Sequence, residues 1–169
     1  MDSVGQSCEC STLSYFAVVG MGDSEGRDQR IFATLEEVAK HGGDAWWLYA
    51  SRCSACGQEW MVAQDERIHD NFYLKRLTDA EMKAIAQQGA WPPDFLRFED
   101  VIRLGPEHKQ VARFFDTNEL TDTLKELMEA RSDISASQIA YLFVVSEREA
   151  ERLMERAARM SWKQLRPFA

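Results

Sequence analysis

The chain has 169 residues and a formal charge of −8, with 45% hydrophobic and 28% charged residues. That balance suits a globular fold of one large domain or two small ones, and it excludes a disordered polyelectrolyte. It also excludes a helical membrane protein, because no apolar run approaches the roughly 20 residues that cross a bilayer.

The opening stretch MDSVGQSCECS has neither a basic leader nor an apolar core, so the expectation is a cytoplasmic protein with reduced thiols. Residues 1–131 hold 23 Asp or Glu against 14 Lys or Arg, whereas 132–169 hold 5 against 6. No broad basic field is present to attract phosphate backbones, so nucleic acid is not the expected partner. An acidic surface suits a basic partner, although acidity is also the commonest route to solubility.

The first half reads as strands. Candidates are Ser14–Gly20, a short piece at Arg30–Ala33, then Ala45–Ala50, Glu59–Gln64 and Asn71–Leu77. Between the second and third, Thr34 and Glu37 have capping-box spacing, Leu35 and Val38 form an apolar stripe, and Gly42-Gly43 marks a stop. That pattern predicts a short helix. A second capping box, Thr78 with Glu81, predicts a helix ending near Gly89, and Trp91-Pro92-Pro93 breaks the chain. Beyond it Asp94–Leu104 has helical periodicity, His108–Asp116 is ambiguous and readable as a strand, and helices are expected at 119–131, 136–144 and 147–160. The expected fold is α+β: a zinc-stapled, antiparallel β-rich half (1–77) packed on a helical half (78–169) that ends in a trihelical unit over 119–160.

Cys8-Glu9-Cys10 and Cys53-Ser54-Ala55-Cys56 are two close pairs far apart in sequence. Turns carrying two thiolates each can converge on one tetrahedral metal. In Cys-x-x-Cys-Gly the turn amides can point at the sulfurs, and Gly57 lets the chain reverse without a side-chain clash. The stretch Arg52–Gln58 resembles one knuckle of a zinc-ribbon or rubredoxin-type site, which implies ligation rather than a function. Structural Zn2+ competes with unmetallated thiols and with redox or catalytic use. Redox use expects a strand-to-helix context, which the strand-like run from Trp60 denies. Catalytic use needs an open ligand position, which four cysteines do not leave. The site should tie the N-terminal tail to the hairpin of residues 45–51 and 58–65. Because a chain end can fray, loss of Cys53 or Cys56 is expected to do more damage than loss of Cys8.

The three histidines nominate no chemistry. His41 falls at the end of the predicted short helix, where a positive end charge is favourable, and His69-Asp70 reads as loop polarity. Hydrolase triads, phosphate loops and His-Glu-x-x-His are missing from the sequence. Trp46 and Trp47 are neighbours in a predicted strand, so one should face inward and the other outward. An outward tryptophan is a candidate anchor for a partner.

Residues 134–157, ISASQIAYLFVVSEREAERLMERA, resemble the bihelical unit of helix-turn-helix proteins. Ser135 with Gln138 and Ser146 with Glu149 cap the two helices, and Ile139-Ala140, Phe143, Val145, Ala150 and Leu153-Met154 take its packing positions. Val144 stands where the motif usually has glycine, which predicts a different turn. Arg148, Arg152, Arg156 and Arg159 form one stripe flanked by Glu149, Glu151 and Glu155, so local ion pairs are expected to offset it. Trp46, Trp47, Arg148 and Arg152 are the candidate partner-contacting residues.

The leading expectation is a non-catalytic protein-binding module. Small acidic cytoplasmic proteins of this character resemble the immunity proteins that neutralise bacterial polymorphic toxins, which implies a partner with a basic active-site cleft. The alternatives are a zinc-containing helix-turn-helix transcription regulator and, third, a zinc-dependent hydrolase or nuclease.

Overall fold

A computed structural model describes residues 7–42, 46–112 and 116–164, with side chains to Met160. The fold is α+β. Five strands form one antiparallel sheet in the N-terminal half and the longer helices follow it. The strands are β1 (Phe16–Gly20), β2 (Leu35–Lys40), β3 (Leu48–Cys53), β4 (Glu59–Asp65) and β5 (Asn71–Leu77), ordered β1-β5-β4-β3-β2. The helices are α1 (Arg27–Phe32), α2 (Asp79–Gln88), α3 (Phe98–Glu107), α4 (Thr117–Ala130), α5 (Ala136–Phe143) and α6 (Glu147–Gln164). Two compact units result: a sheet unit of residues 1–65 and 70–101, and a helical unit of residues 66–69 and 102–169.

In the sheet unit, β4 lies at the centre and is buried along both faces, which is why EWMVAQD does not alternate cleanly between apolar and polar. One face, built from Ala17, Val19, Trp60, Val62 and Leu74, is covered by Ile31 of α1 and by Cys10 and Leu13 of the N-terminal tail. Elsewhere in this unit the Phe16 ring meets Tyr73 at 6.5 Å and Phe95 at 6.3 Å.

Two adjacent expectations are exchanged. Residues 27–32 form a helix where Arg30–Ala33 read as a strand, and the stretch expected to be helical after Thr34 is strand β2. The apolar neighbours Ile31 and Phe32 suggested a strand, but one turn of helix seats both: Ile31 is buried, and the Phe32 ring lies 4.3 Å from that of Phe72. Thr34 does not cap. Its carbonyl accepts from the Ser54 amide at 2.8 Å, and its hydroxyl lies against the Cys53 sulfur. With Thr34 so engaged, ladder bonds to β3 outweigh a local helix preference of a few tenths of a kcal/mol per residue. Glu36 stands opposite Arg52, and the exposed Glu37 and Lys40 together with a bulge between Glu37 and Ala39 blunt this sheet edge.

The remaining signals are local and hold. Thr78 and Glu81 form a reciprocal capping box on α2, which ends at Gly89 in the left-handed conformation. Ser135 and Gln138 do the same on α5, and the Ser146 hydroxyl accepts from the Glu149 amide at the start of α6. Of the segment suggested as a strand at His108–Asp116, residues 108–112 contain no strand and 113–115 lie outside the described residues. Gly43 and Ala45 also lie outside them.

The α5–α6 turn corrects one expectation. Val144 adopts φ 54° and ψ 47°, the left-handed geometry that glycine usually supplies there, and its amide and that of Val145 bond back to α5. The turn is therefore conventional and the residue is strained, since a β-branched side chain in this region costs roughly 1–2 kcal/mol. Val144 is 47% exposed, so its truncation forfeits little burial. Val144→Gly should raise the unfolding free energy by about 0.5–1 kcal/mol, net of the entropy that glycine adds to the unfolded chain. Urea unfolding of both proteins measures it, and a loss of stability would refute the strain.

Candidate metal centre

The β3–β4 hairpin turns through Cys53-Ser54-Ala55-Cys56-Gly57. Gly57 sits at φ 77°, its amide donates to Cys53 O at 2.8 Å, and the Cys53 amide donates to Gln58 O at 2.9 Å. The turn aims the Ala55 and Cys56 amides at the Cys53 sulfur and the Gln58 amide at the Cys56 sulfur. This is the knuckle the spacing implied, and glycine is needed at 57 because of the positive φ.

The second pair arrives on the N-terminal tail, where a 3-10 turn at Cys10–Thr12 follows Cys8. The tail is held firmly. The Arg76 guanidinium donates to Cys10 O and Leu13 O, both at 2.8 Å, and to Gln58 Oε1 at 2.7 Å, while lying 4.9 Å over the Trp60 ring. Glu9 pairs with Arg30 at 3.1 Å, and Leu13 is buried. The expected fraying of this pair is thus corrected: the tail is part of the sheet unit's core.

All four sulfurs, of Cys8, Cys10, Cys53 and Cys56, lie within 4.8 Å of one another. Four sulfurs placed tetrahedrally at 2.3 Å from zinc would be about 3.8 Å apart, so the cluster has metal-binding dimensions. Its electrostatics divide the sulfurs, favouring the thiolate at Cys53 and disfavouring it at Cys10 and Cys56. Burial pushes the Cys53 thiol up, but the Thr34 hydroxyl at 3.3 Å and the Cys56 and Ala55 amides outweigh it and hold this group at about 6. Burial raises Cys10 to about 12 despite the Trp60 indole N–H, which donates to its sulfur at 3.4 Å. A cation of charge +2 among the sulfurs reverses that cost, because a coordinating thiol is deprotonated outright. Trp60, Thr34 and Arg76 act on the site without being ligands, and sequence reading missed all three roles. Only Trp60 carried a signal, its place four residues after Cys56 in the returning strand.

A cavity of about 460 Å3 opens beside the cluster, lined by Cys8, Cys56, Glu59, Arg76 and Asp79 among others. Glu59 is 6% exposed and accepts from Arg52 Nε at 2.9 Å and from its Nη2 at 2.5 Å.

The other singled-out residues lie elsewhere. Trp46 and Trp47 do not alternate across a strand; both precede β3 in a turn, both are half-buried, and both rings stand 5.2 Å from Phe98. The Trp47 indole also donates to Phe95 O at 2.9 Å. Arg148 and Arg152 are exposed on α6. Among the described residues they have no hydrogen bond or ion pair, whereas Arg159 pairs with Glu155 and Arg156 donates to Asn118 Oδ1. The expected lacing therefore covers only part of the stripe. His41 follows a strand rather than a helix and meets Trp91 edge to face at 5.4 Å.

His69 is not loop polarity. It is 3% exposed, its Nε2 donates to Leu142 O at 2.8 Å, and its ring packs on Gly105 of α3 so closely that a Cβ there would fall 2.3 Å from Cδ2. Burial lowers its pKa below the ordinary histidine value. Gly105→Ala should therefore cost about 1–3 kcal/mol by overpacking. The penalty should shrink in a His69→Ala background, a coupling that a double-mutant unfolding cycle reads directly. Additive losses would remove the ring contact as the cause.

With the geometry in hand, comparison with known proteins adds one finding. No family model matches the chain, and no solved structure does. Among curated proteins, it is 32% identical over 82 residues to the Probable transcriptional regulator RABBIT EARS of Arabidopsis thaliana, covering 47% of this chain. The chain spans 36% of that relative's length. Among the described residues no helix is long and apolar enough to cross a membrane.

Proposed function

We propose that the chain is a non-catalytic protein-binding module whose sheet unit is stapled by structural zinc and docks on a basic partner. Soft thiolates in a tetrahedral set favour zinc or an iron–sulfur centre, and the amide, hydroxyl and indole donors around them suit a fixed structural ion. Four cysteine ligands leave no open position for substrate, and the buried His69 and the Trp91-packed His41 serve as packing groups.

The observation that carries the binding reading is the partition of charge. The sheet unit holds 16 Asp or Glu against 8 Lys or Arg, while the helical unit holds 12 of each. The net charge of −8 thus belongs entirely to the sheet unit, which favours encounter with a basic surface and repels phosphate backbones. The finer reading, an immunity protein masking a toxin's basic cleft, is supported by this acidity alone.

A second reading, a zinc-containing helix-turn-helix regulator, is favoured by a different observation. The α5–α6 turn has the motif's left-handed geometry, Arg148 and Arg152 are exposed just beyond it, and the partly matching relative is named as a probable transcriptional regulator. Glu147 and Glu149 stand beside these arginines in the first turn of α6, where they would face phosphates. Duplex DNA binding at 50 and 200 mM salt, for wild type and Arg148→Ala/Arg152→Ala, separates the two. The expected result is retention no greater than that of a generic neutral protein. Submicromolar, sequence-selective binding abolished by the double substitution would replace the first reading with the second.

A further inference from the structure

The four sulfurs form two unlike pairs. Cys10 and Cys53 are 5% and 1% exposed, and each has a side-chain neighbour on its sulfur, Trp60 Nε1 and the Thr34 hydroxyl. Cys8 is half-buried and Cys56 is exposed; both line the open cavity, which Cys10 also borders with far less of its surface. Each pair takes one sulfur from the tail and one from the knuckle, so burial divides the cluster across the two sequence motifs rather than between them.

We propose that the Cys8–Cys56 edge is an oxidation site, at which a small hydroperoxide converts the two thiolates to a disulfide and expels the metal. The proposal rests on the zinc reading above. In the first step the Cys56 thiolate attacks one peroxide oxygen, the O–O bond breaks, and with one proton the products are a sulfenic acid and water, or the corresponding alcohol when the hydroperoxide is organic. The Cys8 thiolate then attacks the Cys56 sulfur and displaces hydroxide, which takes a second proton to become water. Two thiolates lose two electrons, one peroxide gains them, and the zinc leaves unchanged in oxidation state.

The pairing decides the consequence. A Cys8–Cys56 bond still links the tail to the hairpin, so a covalent staple replaces the metal one. Cys8–Cys10 or Cys53–Cys56 bonds would instead leave neither a covalent nor a metal link between the tail and the hairpin. Cys10 and Cys53, covered by the indole and the threonine, remain as buried thiols, which behave as small apolar groups.

The test uses the full chain purified under reducing conditions. Its zinc content is measured first, and a value near zero with four titratable thiols defeats the zinc reading itself. On the zinc-bound chain, hydrogen peroxide is then added with a chromogenic chelator, followed by thiol alkylation, peptide mapping and far-UV circular dichroism. The expected result is one zinc released for every two thiols lost, a cross-linked peptide joining Cys8 to Cys56, and a retained sheet spectrum. Three outcomes overturn the proposal: zinc and all four thiols surviving peroxide, metal loss with pairing inside either motif, or overoxidation of Cys56 without pairing.

Discussion

Cys10→Ala or Cys53→Ala should leave the sheet unit unfolded, whereas Cys8→Ala or Cys56→Ala should give a folded protein of reduced stability and weaker zinc binding. Structural zinc contributes roughly 10–16 kcal/mol of apparent binding energy to small domains, comparable with a whole domain's net stability of about 5–15 kcal/mol. Losing it outright is therefore decisive. At Cys56, which is exposed, and at Cys8, which is half-buried beside the open cavity, water can take the vacated ligand position. Cys10 and Cys53 are 5% and 1% exposed in the cluster that holds Trp60, Leu13 and Ile31, although Cys10 also borders the cavity, so the substitution removes the ligand and leaves a largely buried void. Zinc stoichiometry and thermal unfolding of the four single variants decide it. Similar losses at all four positions would show that burial of the sulfurs does not govern the site.

Arg76→Ala should destabilise the protein by about 3–5 kcal/mol and weaken zinc binding roughly 10–100-fold, although Arg76 is not a ligand. Its guanidinium satisfies Cys10 O, Leu13 O and Gln58 Oε1 at once, and hydrogen bonds from a charged donor contribute about 1.5–3 kcal/mol each, short of full additivity. Without it two tail carbonyls lose their partner and the tail loses its link to β5, so Cys8 and Cys10 are no longer delivered to the knuckle. Arg76→Lys should not restore binding, because an ammonium cannot span three acceptors while stacked over Trp60. A competition titration with a zinc chelator, alongside thermal unfolding, reads both quantities. Unchanged zinc affinity in the alanine variant would reduce Arg76 to a surface residue.

The structure also re-draws the sequence's contrast between the cysteine pairs. From spacing, the terminal pair is the dispensable one, because chain ends fray. In the fold, each motif contributes one shielded and one accessible sulfur. The difference arises from Arg76 and Leu13, which hold the tail and lie far from the knuckle in sequence. No local pattern announces an arginine on β5 that will bind carbonyls more than sixty residues earlier.

Val144 teaches the reverse lesson. Its side chain argued against a left-handed turn, yet the caps on either side, Ser135 with Gln138 and Ser146 with Glu149, and the apolar contacts of Ile139, Phe143, Ala150 and Leu153 impose that turn at the cost of strain. Several packed residues outvote one backbone preference.

What the sequence determined by itself were the features whose physics is local. The four-cysteine site, the α2 and α5 caps, the break at Trp91-Pro92-Pro93 and the succession of sheet then helices all depend on groups within a few residues of one another, or on a paired-cysteine spacing suited to metal ligation. What only the tertiary structure decided depends on distant partners. The exchange of helix and strand around Thr34 follows from a ladder to β3 and a sulfur nineteen residues away. The burial of His69 follows from Gly105 and Leu142, and the integration of the tail follows from Arg76. Helix and strand preferences differ by less than about 1 kcal/mol per residue, so a few such long-range contacts are enough to reverse them.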